Sequence, residues 1–337
     1  MINNKKKNII LVGGAGYIGT ILIKYFLAKK FKVTVIDNLL YSNKFAIQKY
    51  FKNKNFKFLN ADMRNKNSYK NILKKGYAVV LLAGLVGDPI TKKYKTLSKS
   101  INSIGVRKFI KECYKLKNIN RLIFVSTCSN YGLSNKKNIL LNEKSRLNPL
   151  SIYAKQKVEI EKFLINLKKN KFLSPCILRF ATAFGLSPRM RFDLTVNHFT
   201  KSFINKEALE IYDPNTWRPY CHVKDFARLI HKVIVCKKEL ISHQIFNAGN
   251  NKNNFTKKGI LKKVQKLLPR NKVIFRKKDV DRRNYRVDFK KVKKILNFTT
   301  KYSLDYGIKE IFKDYKNKNF VNIKHQLGNY NIKNAGK

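Results

Sequence analysis

The chain of 337 residues has 44% hydrophobic side chains and a formal charge of +55. This length can bury a sizeable core and can hold two domains, and the hydrophobic content excludes an intrinsically disordered chain. The five cysteines are scattered and form no CxxC pair, so we expect a reduced, cytoplasmic protein without a structural zinc site. No apolar stretch approaches the length of a membrane span, and the apolar run after the basic start is too short for a signal peptide.

The charge comes from 74 lysines and arginines against 19 acidic residues. A nucleic-acid partner would predict clustered basic residues with interleaved aromatic residues on one element. The lysines instead recur along the whole chain, as compositional drift in an AT-rich genome would produce. We therefore expect no nucleic-acid partner, while an RNA-associated protein without enzymatic activity stays the rival hypothesis. A general positive field would also attract a diphosphate-bearing substrate.

The first half alternates short apolar runs with amphipathic stretches, a pattern that predicts a parallel, doubly wound α/β sheet with right-handed crossovers. The predicted strands are Asn8–Val12, Lys32–Asp37, Phe56–Ala61, Ala78–Leu82, Leu122–Ser126 and Pro175–Phe180. The clearest helical stretches between them are Gly19–Lys29 and Ile101–Leu116.

The pattern becomes irregular from about residue 181, and the run "HQIFNAGN" at 243–250 reads as one more strand of the sheet. We therefore expect a Rossmann-like NAD domain over 1–180 with a returning segment at about 220–250. A smaller, discontinuous substrate domain would occupy 181–219 and 251–322. A polar, loosely held tail would follow over 323–337.

The first predicted strand is followed by "GGAGYIG", which fits two glycine spacings, one through Gly14 and one through Gly13, both ending on Gly16 and Gly19. In either spacing the chain turns tightly, approaches a pyrophosphate and starts a helix whose N–H groups face the anion. The next strand ends at Asp37, eighteen residues after Gly19. An acid at that position can bond both ribose hydroxyls and repels a 2′-phosphate, which favours NAD over NADP. Asp62 ends the third strand and is a candidate for the adenine edge.

The segment "SIYAKQKVEIEKFL" places Tyr153 and Lys157 four residues apart, on one face of a predicted helix. A tyrosine titrates near ~10 and is a poor base at neutral pH. We expect the nearby ammonium to favour the phenolate and to make Tyr153 usable for proton transfer. The strand at Leu122–Ser126 leads into "STCSNYG", a concentration of hydroxyl and thiol side chains without a carboxylate.

These stretches, in this order, resemble the extended short-chain dehydrogenase/reductases that act on nucleotide sugars, an NAD-dependent epimerase/dehydratase family. The resemblance extends through "LAGLVGDP", "LRFATAFG", "SPRMRFDLTVN", "WRPYCHVKDFA" and "DRRNY". It implies that Thr127 hydrogen-bonds the sugar 4-hydroxyl, that Tyr153 removes its proton and that Lys157 holds the nicotinamide ribose. It also implies a homodimer that pairs the helices containing Ile101–Leu116 and Tyr153–Leu167.

The expected binding residues follow from the same resemblance. The cofactor would contact Gly13, Gly16, Tyr17, Ile18, Gly19, Asp37, Asn38, Asp62, Met63, Leu82, Ala83, Gly84, Tyr153, Lys157 and Phe180. The substrate phosphates would contact Asn197, Arg218 and Arg283, because arginine offers a planar fork of donors to a diphosphate. Of Arg189 and Arg191 we expect only one to serve the ligand. The five histidines have no metal-ligand spacing, and His222 is expected to be structural.

Three reactions stay open after oxidation at C4. Dehydration uses an Asp-Glu pair after the threonine in related 4,6-dehydratases, and here Cys128 and Ser129 take those positions. We expect Cys128 to be a packing residue, which disfavours dehydration. Return of the hydride would make a 4-epimerase, our first choice. Release of the ketone would make a 4-dehydrogenase, which "SPRMRFDLTVN" favours through its resemblance to a nucleotide-heptose 4-dehydrogenase subgroup.

Overall fold

The computed structural model of the protein describes residues 7–134, 139–268, 270–277, 283–317, 328, 329 and 332. The strands are β1 (Asn8–Val12), β2 (Lys32–Asp37), β3 (Phe56–Asn60), β4 (Ala78–Leu81), β5 (Arg121–Thr127), β6 (Leu140–Leu141), β7 (Ser174–Phe180), β8 (Thr182–Phe184), β9 (Leu209–Tyr212), β10 (Trp217–His222), β11 (Gln244–Ala248), β12 (Asn254–Thr256), β13 (Val273–Arg276) and β14 (Arg286–Val287). The helices are α1 (Tyr17–Ala28), α2 (Lys66–Leu73), α3 (Asp88–Lys93), α4 (Lys95–Lys99), α5 (Val106–Tyr114), α6 (Ile152–Ile165), α7 (Thr195–Ile204), α8 (Val223–Val235), α9 (Lys257–Leu267), α10 (Lys290–Leu296) and α11 (Leu304–Lys316).

Seven parallel strands form the main sheet in the order β11-β7-β5-β4-β1-β2-β3. Its strands are apolar throughout because both faces are covered by helices. In β1, Ile9 and Leu11 belong to the core on one face, and Ile10 and Val12 to the core on the other. The order reverses between β1 and β4, so a crevice opens there at the carboxyl ends of the strands.

The predicted α/β fold is confirmed. The limits of the six strands predicted up to residue 180 differ from the observed ones by at most one residue, and the strand predicted at 243–250 is observed over Gln244–Ala248. β1 and β2 have the predicted limits, whereas β3 and β4 each end one residue earlier. The predicted helix Ile101–Leu116 is less regular than expected, because the π-helical segment Ser100–Gly105 precedes α5.

The second half of the chain returns to the main sheet and also builds a separate core. β11 pairs with β7 along its whole length, and α8 packs against α1. The separate core joins α7, α9 and α11 with the short sheets β12-β10-β8 and β13-β9. Both regions contribute side chains to the crevice described below.

Most of the expected polar tail, 323–337, lies outside the described residues. Asn329 and Ile332 are described, and each is only 8% exposed. Ile332 packs in the same apolar core as Met63 and Ile101. These two residues are therefore packed against the half of the molecule that contains the glycine loop, and the expectation for the rest of 323–337 lies outside the described residues. Within the described ranges, no helix is both long and apolar enough to cross a membrane.

Candidate active site

The crevice holds a cavity of about 560 Å³ that reaches from the glycine loop after β1 to the ends of β5 and β7. All the expected cofactor residues and all three expected catalytic residues line it: Gly13, Gly16, Tyr17, Ile18, Gly19, Asp37, Asn38, Asp62, Met63, Leu82, Ala83, Gly84, Thr127, Tyr153, Lys157 and Phe180. Arg218 and Arg283 also line it, whereas Asn197 does not. One cavity therefore contains the expected cofactor residues, the expected catalytic residues and two of the three expected substrate residues.

The glycine loop uses the spacing Gly13-x-x-Gly16-x-x-Gly19. Gly13 has φ +81°, and a Cβ there would lie 2.6 Å from the Ala83 backbone. A Cβ on Gly19 would lie 2.4 Å from the Gly14 carbonyl oxygen, so helix α1 approaches the loop closely. Gly16 precedes α1 directly, which leaves the first N–H groups of the helix facing the cavity.

Asp37 ends β2 and binds both the glycine loop and the backbone that follows β2. Its carboxylate accepts hydrogen bonds from Ala15 N and Leu39 N, each at 2.9 Å. Burial raises the pKa of Asp37, while the two N–H groups and the charge of Arg189 act in the opposite direction. Burial would also raise the pKa of Asp62, but hydrogen bonds from Arg64 outweigh it and hold this pKa below its usual value.

Tyr153 and Lys157 lie on α6, whose first turn is capped by the Ser151 hydroxyl. The Lys157 ammonium donates to the Val125 carbonyl oxygen at 2.8 Å and lies 5.6 Å from the centre of the Tyr153 ring. Burial lowers the pKa of Lys157 to about 8, partly opposed by the charge of Glu161. Thr127 ends β5, and its hydroxyl accepts a hydrogen bond from Ser129 N at 3.1 Å.

The electrostatics of Tyr153 differ from the expectation. Burial raises the pKa of Tyr153, and the cation that opposes this is Arg191, not Lys157. The charge of Asp88 raises the pKa further. Arg191 was not expected beside Tyr153, because it lies 38 residues away on a loop without regular structure.

The hydroxyl and thiol groups after β5 face different surroundings. Ser126, Thr127 and Ser129 line the cavity, whereas Cys128 does not. The Ser126 hydroxyl donates at 2.5 Å to Glu161, whose carboxylate also binds Arg179 at 2.7 Å. Cys128 is buried and donates to the Arg179 carbonyl oxygen at 3.2 Å. Burial raises the pKa of the Cys128 thiol well above its usual value, so the geometry agrees with the expected packing role.

The two expected substrate arginines lie together at the rim. Arg218 donates to the carbonyl oxygens of Trp217 and Arg283 and lies over the Tyr285 ring. The Arg283 guanidinium lies 3.3 Å from the Asp88 carboxylate.

Asn197, by contrast, is fully buried. Its amide binds the Tyr17 hydroxyl and the Arg191 and Gly185 backbones, each at 3.0 Å. The structure thus places Asn197 behind the residues that line the cavity, where it holds Tyr17, Gly185 and Arg191 in position, and its contact with the substrate phosphates stays a prediction.

The loop between β8 and α7 contributes more residues to the cavity than the sequence predicted. Arg189 and Arg191 both line the cavity, and the expectation that only one of them serves the ligand stays a prediction. Arg191 makes two hydrogen bonds to Asp193, at 3.0 and 2.5 Å. Arg189 lies 5.3 Å from the Tyr41 ring, and its buried Nη2 has no hydrogen-bond partner among the described residues. Burial, with the charge of Arg191 beside it, lowers the pKa of Arg189 to about 10.

This loop is held from two sides. The Tyr17 hydroxyl donates to the Gly185 carbonyl oxygen at 2.6 Å, and the Ser187 hydroxyl donates to the Tyr17 carbonyl oxygen at 2.7 Å. From α11, Glu310 accepts from Leu186 N at 2.7 Å and binds His222 at 2.6 Å. These contacts give His222 a structural role. Within the described part of the chain, no group of three or more metal-ligating side chains is present.

The comparisons with known proteins identify a family but not one reaction. The model of the NAD dependent epimerase/dehydratase family matches residues 9–249. The chain is 25% identical over 313 residues to a UDP-glucuronate 4-epimerase of Thermodesulfobacterium geofontis, covering 89% of this chain and 93% of that protein. It is 28% identical over 271 residues to a dTDP-D-glucose 4,6-dehydratase of Dictyostelium discoideum, covering 74% of this chain and 60% of that protein.

A solved structure has the same fold. It is a UDP-glucuronic acid 4-epimerase from Bacillus cereus in complex with UDP-glucuronic acid and NAD. The two structures have a TM-score of 0.82 at 22% identity, and the match covers 92% of this chain and 99% of that chain.

Proposed function

This chain belongs to the NAD-dependent epimerase/dehydratase family, and from that premise we propose that it is a nucleotide-sugar 4-epimerase. The enzyme would oxidise the sugar C4 hydroxyl and then return the hydride to the other face of the ketone. The observation that carries this proposal is the single cavity that joins the glycine loop and Asp37 to Thr127, Tyr153 and Lys157.

NAD, when bound, supplies the hydride acceptor and the positive charge of its oxidised nicotinamide ring. The residues of the chain bind and orient the cofactor and the substrate, and they move the proton. Thr127 hydrogen-bonds the 4-hydroxyl, and Tyr153, as the phenolate, takes the proton of that hydroxyl during oxidation and returns it to the oxygen during reduction. Lys157 lies on the same face of α6 as Tyr153. The Val125 carbonyl oxygen holds its ammonium group, which can also donate to a ribose hydroxyl.

The anionic parts of both ligands have cationic partners in the cavity. Arg218 and Arg283 lie at the end nearest Tyr285, where they would hold the diphosphate of the nucleotide sugar. Arg189 lies beside Asp37 and Tyr41, at the adenosine end, where its unpartnered Nη2 would donate to the cofactor pyrophosphate. An arginine suits both tasks because it keeps its charge when buried.

The residues at the positions of the acid pair, and the nearby carboxylate of Glu161, give little support to dehydration. Cys128 and Ser129 occupy the positions of the acid pair, and Cys128 faces away from the cavity. Glu161 is close but is held by Arg179 and Ser126. A second candidate, a 4-dehydrogenase of the nucleotide-heptose subgroup, is favoured by the cavity-lining arginines of "SPRMR".

A product screen tests the proposal. Purified protein is incubated with UDP-, dTDP- and GDP-linked hexoses, and each product is identified by mass and by NMR at C4. We expect one pair of C4 epimers to interconvert, with the same equilibrium reached from either sugar. Tyr153→Phe should lower the rate at least ~100-fold while NAD still binds, because a proton-transfer group contributes about 10²–10⁴-fold.

The matched control is Tyr306→Phe, since Tyr306 is exposed and lies outside the cavity. It should leave the rate unchanged. Turnover that survives in Tyr153→Phe would contradict the assigned role.

Three further expectations stay proposals. The division into an NAD domain (1–180 with about 220–250) and a substrate domain (181–219 and 251–322) is supported by the pairing of β11 with β7. A homodimer through α5 and α6 is supported by Ile104 and Ile165, which are 46% and 37% exposed near those helices. A cytoplasmic location is supported by five free cysteines.

A further inference from the structure

Among the described residues, four aspartates line the cavity: Asp37, Asp62, Asp88 and Asp193. Three of them are occupied by protein donors. Asp37 binds two backbone N–H groups, Asp62 binds Arg64 and Asn38, and Asp193 is held by Arg191 through both oxygens. The fourth, Asp88, is different. Its Oδ2 lies 3.3 Å from Arg283, while its buried Oδ1 has no hydrogen-bond partner within the described residues.

Asp88 lies at the reacting end of the cavity. It follows Gly87, whose φ of +117° turns the chain into α3, and α3 packs against the catalytic helix α6. A Cβ on Gly87 would lie 4.0 Å from Arg191 Nη2. The charge of Asp88 is close enough to Tyr153 to raise the pKa of its hydroxyl. Asp88 thus lies near Tyr153 and forms an ion pair with Arg283, the arginine that is expected to bind the diphosphate.

A buried carboxylate oxygen without a donor is unfavourable, and a bound ligand that donates to it removes that penalty. An ionised carboxylate can only accept hydrogen bonds. In a nucleotide sugar, the groups that can donate at this end of the cavity are the hydroxyls of the sugar ring. The ion pair with Arg283 holds the carboxylate in place.

We propose that Asp88 is a sugar-binding residue of this enzyme, whose Oδ1 accepts a hydrogen bond from a ring hydroxyl while Arg283 holds Oδ2. This inference depends on the proposed nucleotide-sugar substrate and adds a specificity determinant to it. Asp88 binds and orients the sugar; the proton of the 4-hydroxyl still goes to Tyr153.

The test compares two ligands that differ only in the sugar. Dissociation constants of UDP-, dTDP- and GDP-glucose are measured by calorimetry on the NAD-loaded protein, together with those of free UDP, dTDP and GDP. For the nucleotide that binds best, the wild type should bind the glucose form more tightly than the free diphosphate. Asp88→Ala should weaken the glucose form about 5- to 20-fold and leave the free diphosphate within about 2-fold, since one hydrogen bond to a charged group is lost.

Asp88→Asn keeps an acceptor oxygen without the charge and should weaken the glucose form by a smaller factor, about 2- to 5-fold. In turnover assays both variants should raise KM and leave kcat within about 3-fold. The control Asp305→Asn alters an exposed pair with Lys263 and should change neither constant. Thermal melting of each variant checks that the protein is folded.

Two results would overturn the proposal. The first is unchanged affinity for the glucose form in Asp88→Ala. The second is a loss of kcat above ~100-fold in Asp88→Asn with binding retained, which would assign Asp88 proton transfer. A wild type that binds no glucose form more tightly than its diphosphate would instead contradict the proposed substrate class. The Tyr153-dependent turnover assay identifies that case separately.

Discussion

At the level of single residues, Lys157 is a cationic side chain at a position where burial disfavours the charged form. It is 5% exposed, and its ammonium is satisfied by one carbonyl oxygen. Its neighbours on the site face similar conflicts, because Tyr153 and Arg189 are also buried ionisable groups. Such conflicts are typical of functional sites, where stability is lost in exchange for reactivity.

Lys157→Met should lower turnover at least ~100-fold and also change the pH dependence of stability. Burial lowers the pKa of Lys157 from 10.5 to about 8, so the charged form destabilises the folded state by roughly 3 kcal/mol below pH 8. Between pH 8 and 10.5 the folded lysine loses its proton while the unfolded one keeps it, so wild-type stability rises with pH. The free energy of unfolding, measured in urea at pH 7 to 10, should therefore rise more steeply in the wild type than in the variant. Parallel curves would contradict the burial argument.

Asp37 should set the choice of cofactor. The wild type should bind NAD at least ~30-fold more tightly than NADP, because a buried carboxylate repels a 2′-phosphate. Asp37→Ala should weaken NAD binding about 10-fold and reduce this preference to a few-fold. Calorimetry with both cofactors measures the ratio. Equal affinities in the unmodified protein would mean that Asp37 does not face the ribose.

Cys128 should be replaceable. Its thiol is buried, faces the Arg179 carbonyl oxygen and lies outside the cavity. Cys128→Ala should keep turnover within about 3-fold and destabilise the protein by about 1 kcal/mol through the lost packing. Steady-state kinetics and thermal melting are the measurements. A loss of activity above ~100-fold in a folded variant would restore Cys128 as an acid or base.

At the level of elements, the loop between β8 and α7 is the part of the site that depends most on contacts from elsewhere. It carries Arg189, Arg191 and Asp193, and it is fixed by Tyr17 on α1 and by Glu310 on α11. Burial would raise the pKa of Glu310, but bonds to His222, Leu186 and Lys224 hold it below its usual value. Glu310 therefore remains ionised and can keep the loop in place.

Glu310→Ala should loosen this loop and weaken binding of both NAD and nucleotide sugar by about 3- to 10-fold. It should also destabilise the protein by about 1–3 kcal/mol, because buried donors lose their acceptor. The stabilisation by Glu310 should be full above pH 4.5, the usual pKa of this group, and should decrease as the pH falls through its lower folded-state value. The control Glu239→Ala removes an exposed carboxylate. A lower melting temperature with unchanged binding would mean that Glu310 supports only the fold.

The sequence predicted the elements of the main sheet well because their signals are local. Continuous apolar strands, glycine turns and strand-end acids are each contained in a few neighbouring residues. The motifs after β1, β2 and β5 could therefore be assigned to one site, since parallel strands end at a common edge.

The positions of the other site residues depend on tertiary contacts, which produce no pattern in the neighbouring sequence. The cavity-facing orientation of both Arg189 and Arg191 is set by contacts from α1 and α11. The buried role of Asn197 depends on Tyr17, 180 residues away. The burial of Asn329 and Ile332 could not be predicted either, because their polar surroundings in the sequence resemble an ordinary tail. The π-helical segment before α5 could not be predicted either, because it does not interrupt the apolar pattern of the sequence.

At the level of the whole molecule, the charge of +55 is spread over both halves of the chain. Two of the basic residues that line the cavity are paired with carboxylates, Arg191 with Asp193 and Arg283 with Asp88. The arrangement favours small anionic ligands inside the cleft over a polyanion along the surface. The central claim is accordingly catalytic: the enzyme takes a hydride from C4 and returns it to the same sugar.

Turnover in deuterated water tests this claim most directly. The protein is incubated with the nucleotide sugar that the product screen identifies, and the product is analysed by NMR and mass spectrometry. The account predicts the C4 epimer with no deuterium on carbon, because the hydride never exchanges with solvent and the proton of Tyr153 returns to oxygen. Deuterium at C5 with loss of the 6-hydroxyl would show a dehydratase, and a released 4-keto sugar with one NADH per product would show a dehydrogenase. Either result would contradict the account.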